Sequence, residues 1–269
     1  MKSVRSALFV PADRPERLPK ALGSGADAVI ADLEDAVEAS AKSAARHALA
    51  GFLDTHVGAR VVVRVNAVDT PYFNDDLALC ASLPGVAAVM LPKADSADIV
   101  RLAATAGKPV WPLVESARAV LALPELAQAP GAAQLVFGTL DFALDLGLDA
   151  AADAGRAVLD HVRHQLLLHA RSAGLPGPLD GVHPRLDDAA GLRAEAARAR
   201  AAGMGGMLCV HPSQVPIINE SFQPSAEELD WARRVVQAST GQRGAFRLDG
   251  QMVDAPVVRR ARLIIEQAG

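Results

Sequence analysis

The sequence predicts an α/β fold, a (β/α)8 TIM barrel followed by a C-terminal helix–hairpin–helix extension. Eight short apolar runs alternate with Ala-rich amphipathic segments, the pattern of a parallel sheet covered by helices on both faces. The first run opens the chain and the eighth ends near Val210, which suits a closed barrel. No G-x-G-x-x-G motif follows the first run, and this disfavours the alternative, an open doubly wound sheet.

Each strand is predicted where a short apolar run is bounded by turn residues. In chain order the predicted strands are 6–10, 28–32, 61–65, 87–91, 110–114, 135–138, 179–182 and 206–210. Apolar residues at helical spacing between these runs predict helices that include 38–53, 96–106, 154–173 and 188–202.

The C-terminal segment has its own signals for helices and a turn. Ser225, with Glu228 three residues later, predicts the start of a helix over 225–238. Asp249-Gly250 predicts the turn of a hairpin within 244–254, and Pro256 suits the first turn of a last helix over 255–266. We therefore expect a barrel over 1–222 and an extension over 223–269 that packs on a barrel mouth, its own or a neighbouring subunit's.

Composition limits the possible partners and compartment. The chain has 269 residues and a net charge of −4, which disfavours nucleic acid as a partner because phosphate binding needs a concentrated basic surface. No apolar run approaches the roughly 20 residues of a membrane span. The apolar start of the chain is short and charged residues follow at once, so we interpret it as a strand rather than a signal peptide. Cys80 and Cys209 lack metal-ligand spacing, which favours a cytoplasmic, reduced protein.

Charged side chains follow most of the predicted strands, and in a barrel these strand ends form the active-site face. Glu115 and Asp141 follow the fifth and sixth strands, and two such carboxylates would suit Mg²⁺. The alternative is that each only caps the next helix. Burying many polar groups at one rim without partners or a ligand would be costly. The other polar residues at strand ends are Arg14, Arg17, Lys20, Asp32, Glu34, Asp35, Arg64, Asn66, Lys93, His211 and Gln214.

Several motifs in fixed order resemble one known family. They are residues 6–17, Asp32-Leu-Glu-Asp-Ala-Val37, Arg64-Val-Asn66, Leu91-Pro-Lys93, Glu115-Ser116, residues 138–147 around Asp141, and His211-Pro-Ser-Gln214. Together they resemble the citrate lyase β-subunit-like (CitE-like) proteins of the HpcH/HpaI aldolase and citrate lyase superfamily, over essentially the whole chain. Residues 246–260, with Asp254-Ala-Pro, are similar to the C-terminal element of members that act on CoA thioesters.

The resemblance implies a Mg²⁺-dependent carbon–carbon lyase or synthase of acyl-CoA thioesters of the malyl-, citramalyl-, hydroxymethylglutaryl- or citryl-CoA type. The other partner would be a small keto acid. Glu115 and Asp141 are implied as direct metal ligands, and Arg64 as the catalytic residue that holds the substrate carboxylate or carbonyl oxygen. A homo-oligomer, a trimer or a multiple of one, is also implied.

The resemblance gives roles to further residues. Glu34 and Asp35 are implied to bind metal-bound water, and Asp254 to act as acid or base on a lid that often comes from the neighbouring subunit. A competing role for Asp254 is the N-cap of the last helix. Contacts to CoA phosphates are implied for three cations near the first loop: Arg14, Arg17 and Lys20.

Three other functions stay open. The chain could be a citrate lyase β subunit that cleaves a citryl thioester on an acyl carrier protein. It could be a class II aldolase of free hydroxy-keto acids, although such relatives commonly use a histidine near strand two, where this chain has Asp32-Leu-Glu-Asp. It could also be a catalytically silent binding or assembly subunit, which would have no need for two acids beside Arg64.

Overall fold

The chain forms two compact units, Met1–Asn219 and Glu220–Gly269. The computed structural model describes residues 4–242 and 244–268. Residues 1–3 and 269, at the ends of the predicted domains, lie outside the described residues, as does residue 243 within the predicted extension.

Eight parallel strands close into a barrel in chain order, with β8 paired to β1, so the predicted fold class is confirmed. The strands are β1 (Ser6–Pro11), β2 (Ala28–Asp32), β3 (Val61–Arg64), β4 (Val86–Leu91), β5 (Val110–Val114), β6 (Val136–Phe137), β7 (Leu179–Asp180) and β8 (Gly206–Cys209).

Helices connect the strands and surround the barrel. They are α1 (Leu18–Leu22), α2 (Lys42–Thr55), α3 (Phe73–Ser82), α4 (Ala97–Ala104), α5 (Ala117–Leu121), α6 (Leu123–Gln128), α7 (Thr139–Asp145), α8 (Asp153–Ser172), α9 (Ala189–Ala201) and α10 (Val215–Ser221). Short 3₁₀ turns lie at Pro15–Arg17, Ala39–Ala41 and Pro212–Gln214. Ser96 and Asp188 cap α4 and α9, where each side chain accepts a backbone N–H three residues on.

The barrel interior is filled by side chains from every strand, which makes it a packed core rather than a pore. Because successive strand residues point to opposite faces, each strand contributes alternate residues to this core. Its buried members are Ala7, Ile30, Val62, Ala88, Met90, Trp111, Leu113, Val136, Leu179 and Leu208. A ligand of this unit must therefore bind at the ends of the strands.

Strands β6 and β7 are shorter than predicted. The apolar runs continue beyond the paired residues of both strands. After β7 the Asp180 carboxylate accepts the N–H of Gly181 at 2.9 Å, and after β6 Gly138 is the N-cap of α7. Apolar character predicted the burial of these residues but not the positions at which the strands end.

The C-terminal unit contains α11 (Ala226–Ser239), β9 (Phe246–Leu248), β10 (Gln251–Val253) and α12 (Ala255–Ala268). Ser225 and Glu228 form the predicted capping box, with bonds of 3.1 and 2.8 Å. Asp249 and Gly250 have φ values of +50° and +79°, as a type I′ hairpin turn requires. Both helices and the hairpin bury apolar side chains against one another: Ala232, Val235, Val253, Ala261 and Ile264.

Two predictions from composition can be compared with the structure. Cys80 and Cys209 are both free and buried. In the part of the chain that the structure describes, no helix combines the length and apolar character needed to cross a membrane.

Candidate active site

A cavity of about 410 Å³ opens at the carboxyl ends of the barrel strands. Its charged lining residues follow or end β2, β3, β5 and β6, as predicted from the strand ends. They are Asp32, Asp35, Arg64, Glu115 and Asp141. The barrel thus brings the two predicted metal ligands and the predicted catalytic arginine to one cavity.

Arg64 is held in one orientation by Asp32. Its Nε and Nη2 atoms donate to the two carboxylate oxygens of Asp32 at 2.7 and 2.6 Å. The residues are cross-strand partners in the β2–β3 register, and both are buried. Burial opposes the charged form of Arg64, but the hydrogen bonds and charge of Asp32 raise its pKa overall. The guanidinium also lies over the ring of Phe9, 4.9 Å from the centroid.

Glu34 and Asp35 lie on the other side of Arg64. Nη1 of Arg64 is 2.9 Å from the Glu34 carboxylate and 3.3 Å from that of Asp35. Glu34 is buried, whereas the Asp35 side chain is mostly exposed. The longer, exposed contact to Asp35 is therefore the one that a ligand of Arg64 can replace most easily.

Glu115 is a buried carboxylate whose direction is set by the backbone. Its Oε1 accepts the N–H of Lys93 at 2.7 Å. Lys93 has a φ of +48°, a conformation that non-glycine residues rarely adopt and that is typical of functional positions. Burial raises the pKa of Glu115 to about 7, a shift that the Lys93 N–H opposes and the charge of Asp141 reinforces.

Asp141 is exposed and lies in the first turn of α7, three residues after Gly138. The approach of Glu115 to this turn depends on the missing side chain of Gly138. A Cβ built there would lie 2.6 Å from Cβ and 2.8 Å from Oε2 of Glu115. Gly138 thus lets a buried carboxylate from β5 lie against the turn that carries Asp141.

The charge balance of the cavity suits a divalent cation. Four acids and one arginine line it, and Asp32, Glu34 and Asp35 all contact that arginine. Glu34 and Glu115 both have raised pKa values, about 8 and 7, chiefly because they are buried. Among the described residues, no three His, Cys, Asp or Glu side chains are grouped as a metal site. Glu115 and Asp141 could supply two hard oxygen ligands to Mg²⁺, whose other positions would be filled by water and substrate oxygens.

Several charged residues and histidines near the strand ends do not line this cavity. Arg14, Arg17 and Lys20 are exposed on the turn and helix after β1, and their side chains form no ion pair with any described residue. His183 is buried, bonds to Glu195 at 2.9 Å and lines an adjoining cavity between α8 and α9. The two cavities share Thr139, Leu140, Gly181 and Val182 in their linings. His211 caps the 3₁₀ turn after β8. The three cations of the first loop stay available for an anionic ligand.

Asp254 is the N-cap of α12, which is one of the two roles predicted for it. Its Oδ1 accepts the N–H of Val257 at 3.2 Å at the start of α12. This contact lies within the C-terminal unit and leaves the acid/base role of Asp254 a prediction.

The sequence did not predict three features of the site. They are the two hydrogen bonds from Arg64 to Asp32, the hydrogen bond from the Lys93 N–H to Glu115, and the space above Gly138. A signal existed for the first, because Asp32 and Arg64 both end predicted neighbouring strands. The other two depend on backbone direction and close approach, which residue types alone do not indicate.

Comparisons with known proteins agree on one family. The family described as HpcH/HpaI aldolase/citrate lyase matches residues 5–212. The citrate lyase subunit beta-like protein of Mycobacterium tuberculosis is 43% identical over 97% of this chain and 94% of its own length. A (3S)-malyl-CoA thioesterase of Cereibacter sphaeroides is 36% identical over 98% of this chain and 94% of its own length. The crystal structure of CitE from M. tuberculosis with magnesium, acetoacetate and coenzyme A superposes with a TM-score of 0.87 at 42% identity, covering 99% of this chain and 98% of that one.

Proposed function

Because the chain belongs to the HpcH/HpaI aldolase/citrate lyase family, we propose that it is a Mg²⁺-dependent carbon–carbon lyase or synthase of acyl-CoA thioesters. Cleavage would give acetyl-CoA or a related acyl-CoA and a small keto acid, and synthesis would be the reverse. The observation that carries this proposal is the cavity that Glu115 and Asp141 share with Arg64. A silent assembly subunit would not need this combination.

The proposed metal site consists of Glu115 and Asp141. Magnesium is present in the CitE complex of M. tuberculosis named above, and the donor set found here fits the same ion. When bound, Mg²⁺ would act as a Lewis acid that polarises the carbonyl oxygen of the keto acid. Glu34 and Asp35 would accept hydrogen bonds from water in the same site.

Arg64 would bind the oxygen atoms of the substrate. Its Nε and Nη2 donate to Asp32, and Nη1 lies beside Glu34 and Asp35. The ligand would therefore contact Nη1 in place of the exposed Asp35 carboxylate. A guanidinium keeps its charge at any physiological pH and its planar fork matches a carboxylate. Arg64 would therefore orient the keto acid and stabilise negative charge on the carbonyl oxygen as the carbon–carbon bond breaks or forms.

Asp254 would transfer the proton. In the cleavage direction its carboxylate would take the proton of the hydroxyl group, and in the synthetic direction it would take the α-proton of the acyl thioester. An aspartate in water is a weak base, so this role would require that water is excluded from Asp254 when the substrate is bound. Arg14, Arg17 and Lys20 would bind the phosphates of CoA.

A citrate lyase β subunit is the second candidate, because the citrate lyase subunit beta of Leuconostoc mesenteroides subsp. cremoris is 30% identical over 98% of this chain. Such a subunit would cleave a citryl thioester on an acyl carrier protein. An assay of the purified chain alone with MgCl₂ and CoA thioesters distinguishes the two functions, because only the first predicts turnover. Following the free thiol separately from the keto acid would also detect thioester hydrolysis.

We predict that Asp141→Ala abolishes both Mg²⁺ binding and turnover while the barrel stays folded. Isothermal titration with MgCl₂, steady-state kinetics and circular dichroism measure the three properties. Asp153→Ala, which removes an exposed acid from the first turn of α8, is the control and should keep Mg²⁺ binding. Full activity of Asp141→Ala would remove this residue from the site.

We predict that Asp254→Asn keeps Mg²⁺ binding but lowers kcat by about 100-fold or more, the range expected for loss of a general acid–base group. Asparagine can still cap α12, so the fold should change little. Unchanged turnover would leave Asp254 with its capping role alone.

We also propose that the protein works in the cytoplasm as a homo-oligomer, a trimer or a multiple of one. Two free, buried cysteines support a reducing compartment. Light scattering of the purified protein would measure its oligomeric state.

A further inference from the structure

In the part of the chain that the structure describes, one side-chain hydrogen bond joins α7 to the segment after β5. Oδ2 of Asp145, the last residue of α7, accepts the backbone N–H of Ala117 at 2.7 Å. Ala117 is the first residue of α5 and comes two residues after Glu115. Asp145 lies about one helical turn after Asp141 on α7. The bond therefore connects the two segments that carry the proposed metal ligands.

Asp141 has no side-chain bond of its own that fixes its position. Among the described residues its carboxylate forms no hydrogen bond and no ion pair, and the residue is exposed. Glu115 differs in this respect, because the Lys93 N–H binds its Oε1 atom. The place of Asp141 relative to Glu115 therefore depends on how α7 as a whole is held.

The helix α7 has few other anchors. It is seven residues long, and a helix this short is stable only through its tertiary contacts. Its N-cap, Gly138, has no side-chain oxygen that could cap the first turn. Two of its residues are buried, whereas Leu140 and Leu144 are 52% and 80% exposed. The Asp145 bond thus holds the end of a helix whose first turn carries Asp141.

The segment after β5 is held more firmly. Ser116 donates to Asp95 at 2.6 Å, and it caps α5 by accepting the N–H of Ala119 at 3.0 Å. The N–H of Ala117 has no partner within α5, because the first N–H groups of a helix never do. Asp145 satisfies this donor and so ties α7 to a part of the chain that is already fixed.

We propose that Asp145 is a positioning residue of the metal site. By accepting the Ala117 N–H, its carboxylate holds α7 against the segment after β5 and keeps Asp141 within reach of the ion that Glu115 binds. Because Glu115 and Asp141 are themselves proposed ligands, this role rests on the proposed function. The acceptor oxygen of Asp145 matters for the role, and its negative charge does not.

Three variants separate the hydrogen bond from the charge. Asp145→Ala removes both, and Asp145→Asn keeps an acceptor oxygen without the charge. Ala117→Pro removes the donor and leaves every charge in place. Ala117 is exposed, and proline suits the first position of a helix when the residue before it is extended, as Ser116 is. Asp149→Ala is the matched control, because this exposed acid follows α7 and accepts an N–H within its own turn, from Ala151 at 2.9 Å.

Isothermal titration of the whole protein with MgCl₂ measures the affinity, and circular dichroism shows whether each variant is folded. Asp145→Ala and Ala117→Pro should each weaken Mg²⁺ binding about 10-fold, the lower end of the range for residues that support metal ligands. Asp145→Asn and Asp149→Ala should bind Mg²⁺ nearly as the wild type does. The double variant at 145 and 117 should lose no more than either single variant, because both changes remove the same bond.

Two results would overturn this role and leave the proposed function intact. One is normal Mg²⁺ affinity in folded Asp145→Ala. The other is an equal loss in Asp145→Ala and Asp145→Asn with normal affinity in Ala117→Pro, which would mean that the charge of Asp145 attracts the ion. If Ala117→Pro does not fold, the comparison of Asp145→Asn with Asp145→Ala still decides between bond and charge. If the wild type itself does not bind Mg²⁺, the proposed metal site fails and the role of Asp145 fails with it.

Discussion

At the scale of single residues, the site depends on how its charged groups are held. An arginine at the end of a strand can be predicted from the sequence, but its usefulness depends on its orientation. Asp32 provides that orientation through two hydrogen bonds and also accepts the N–H of Glu34 at 2.9 Å. It therefore acts as a positioning residue that links Arg64 to the acidic loop after β2.

We expect Asp32→Asn to lower kcat/KM by about 100-fold and stability by about 3 kcal/mol, because the buried Arg64 loses the carboxylate that binds it through two hydrogen bonds. Asparagine can accept from Nε but cannot accept from Nη2 in the same orientation, so Arg64 should turn. Mg²⁺ affinity should change much less than kcat, and this separates a positioning role from loss of the fold. Steady-state kinetics, magnesium titration and denaturant unfolding provide the measurements.

The control for this variant is Asp27→Asn. Asp27 also binds an arginine with both carboxylate oxygens, Arg5 at 2.8 and 2.9 Å, but at the amino ends of β1 and β2. Its removal should leave kcat unchanged. Equal losses of activity in the two variants would show that Asp32 has no specific role in the site.

At the scale of elements, the junction between β6 and α7 determines whether the two proposed metal ligands can meet. The sequence places Asp141 after a strand, but the structure adds that it lies in the first turn of α7 and that Gly138 opens the way for Glu115. Gly138 has a φ of −89°, a value that any residue can adopt. Glycine is therefore needed here because a side chain has no space, and not because of the backbone conformation.

Gly138→Ala should therefore displace the Glu115 side chain and weaken Mg²⁺ binding by at least 10-fold, with about 1–3 kcal/mol lost in stability through overpacking. Magnesium titration and thermal unfolding would measure the two effects. Gly51→Ala is the matched control, because Gly51 lies on α2 with no atom near its added Cβ. It should raise stability by about 0.5–1 kcal/mol. Normal Mg²⁺ affinity in Gly138→Ala would show that Glu115 does not need this space.

At the scale of the whole molecule, the barrel tolerates an excess of negative charge at one end. The pKa values of Glu34 and Glu115 rise from 4.5 to about 8 and 7 because both are buried, while Arg64 and the Lys93 N–H oppose the shifts only in part. Each pKa unit corresponds to about 1.4 kcal/mol. At alkaline pH, ionisation of these two buried carboxyl groups therefore lowers the stability of the metal-free protein by several kcal/mol.

The sign of the pH dependence follows from these values. Between about pH 4.5 and 8 the unfolded chain has released protons that the folded chain still holds, so the stability of the metal-free protein should fall as pH rises across this window. Mg²⁺ binds the deprotonated carboxylate, so its stabilising effect should grow from pH 6 to 8. Thermal unfolding at pH 5–9, with and without MgCl₂, measures both trends. In Asp141→Ala the effect of MgCl₂ should disappear, and a magnesium effect that is constant with pH would contradict the assignment of Glu115.

The sequence by itself determined the fold class and the family. Alternating apolar runs and amphipathic segments can bury their apolar faces together in few ways, and the barrel, the hairpin turn at Asp249-Gly250 and the capping box at Ser225 are all present as predicted. It also predicted Arg64, Glu115 and Asp141 as site residues from their positions at strand ends, and in the structure all three line one cavity.

Only the tertiary structure decided how those residues are held and what surrounds them. The Asp32–Arg64 pairing, the Lys93 N–H bond to Glu115 and the space at Gly138 each join residues that are distant in the chain. The local pattern of apolar and polar residues predicts which face of a strand is buried. Which side chains meet at the end of the barrel depends on how the eight strands close around it.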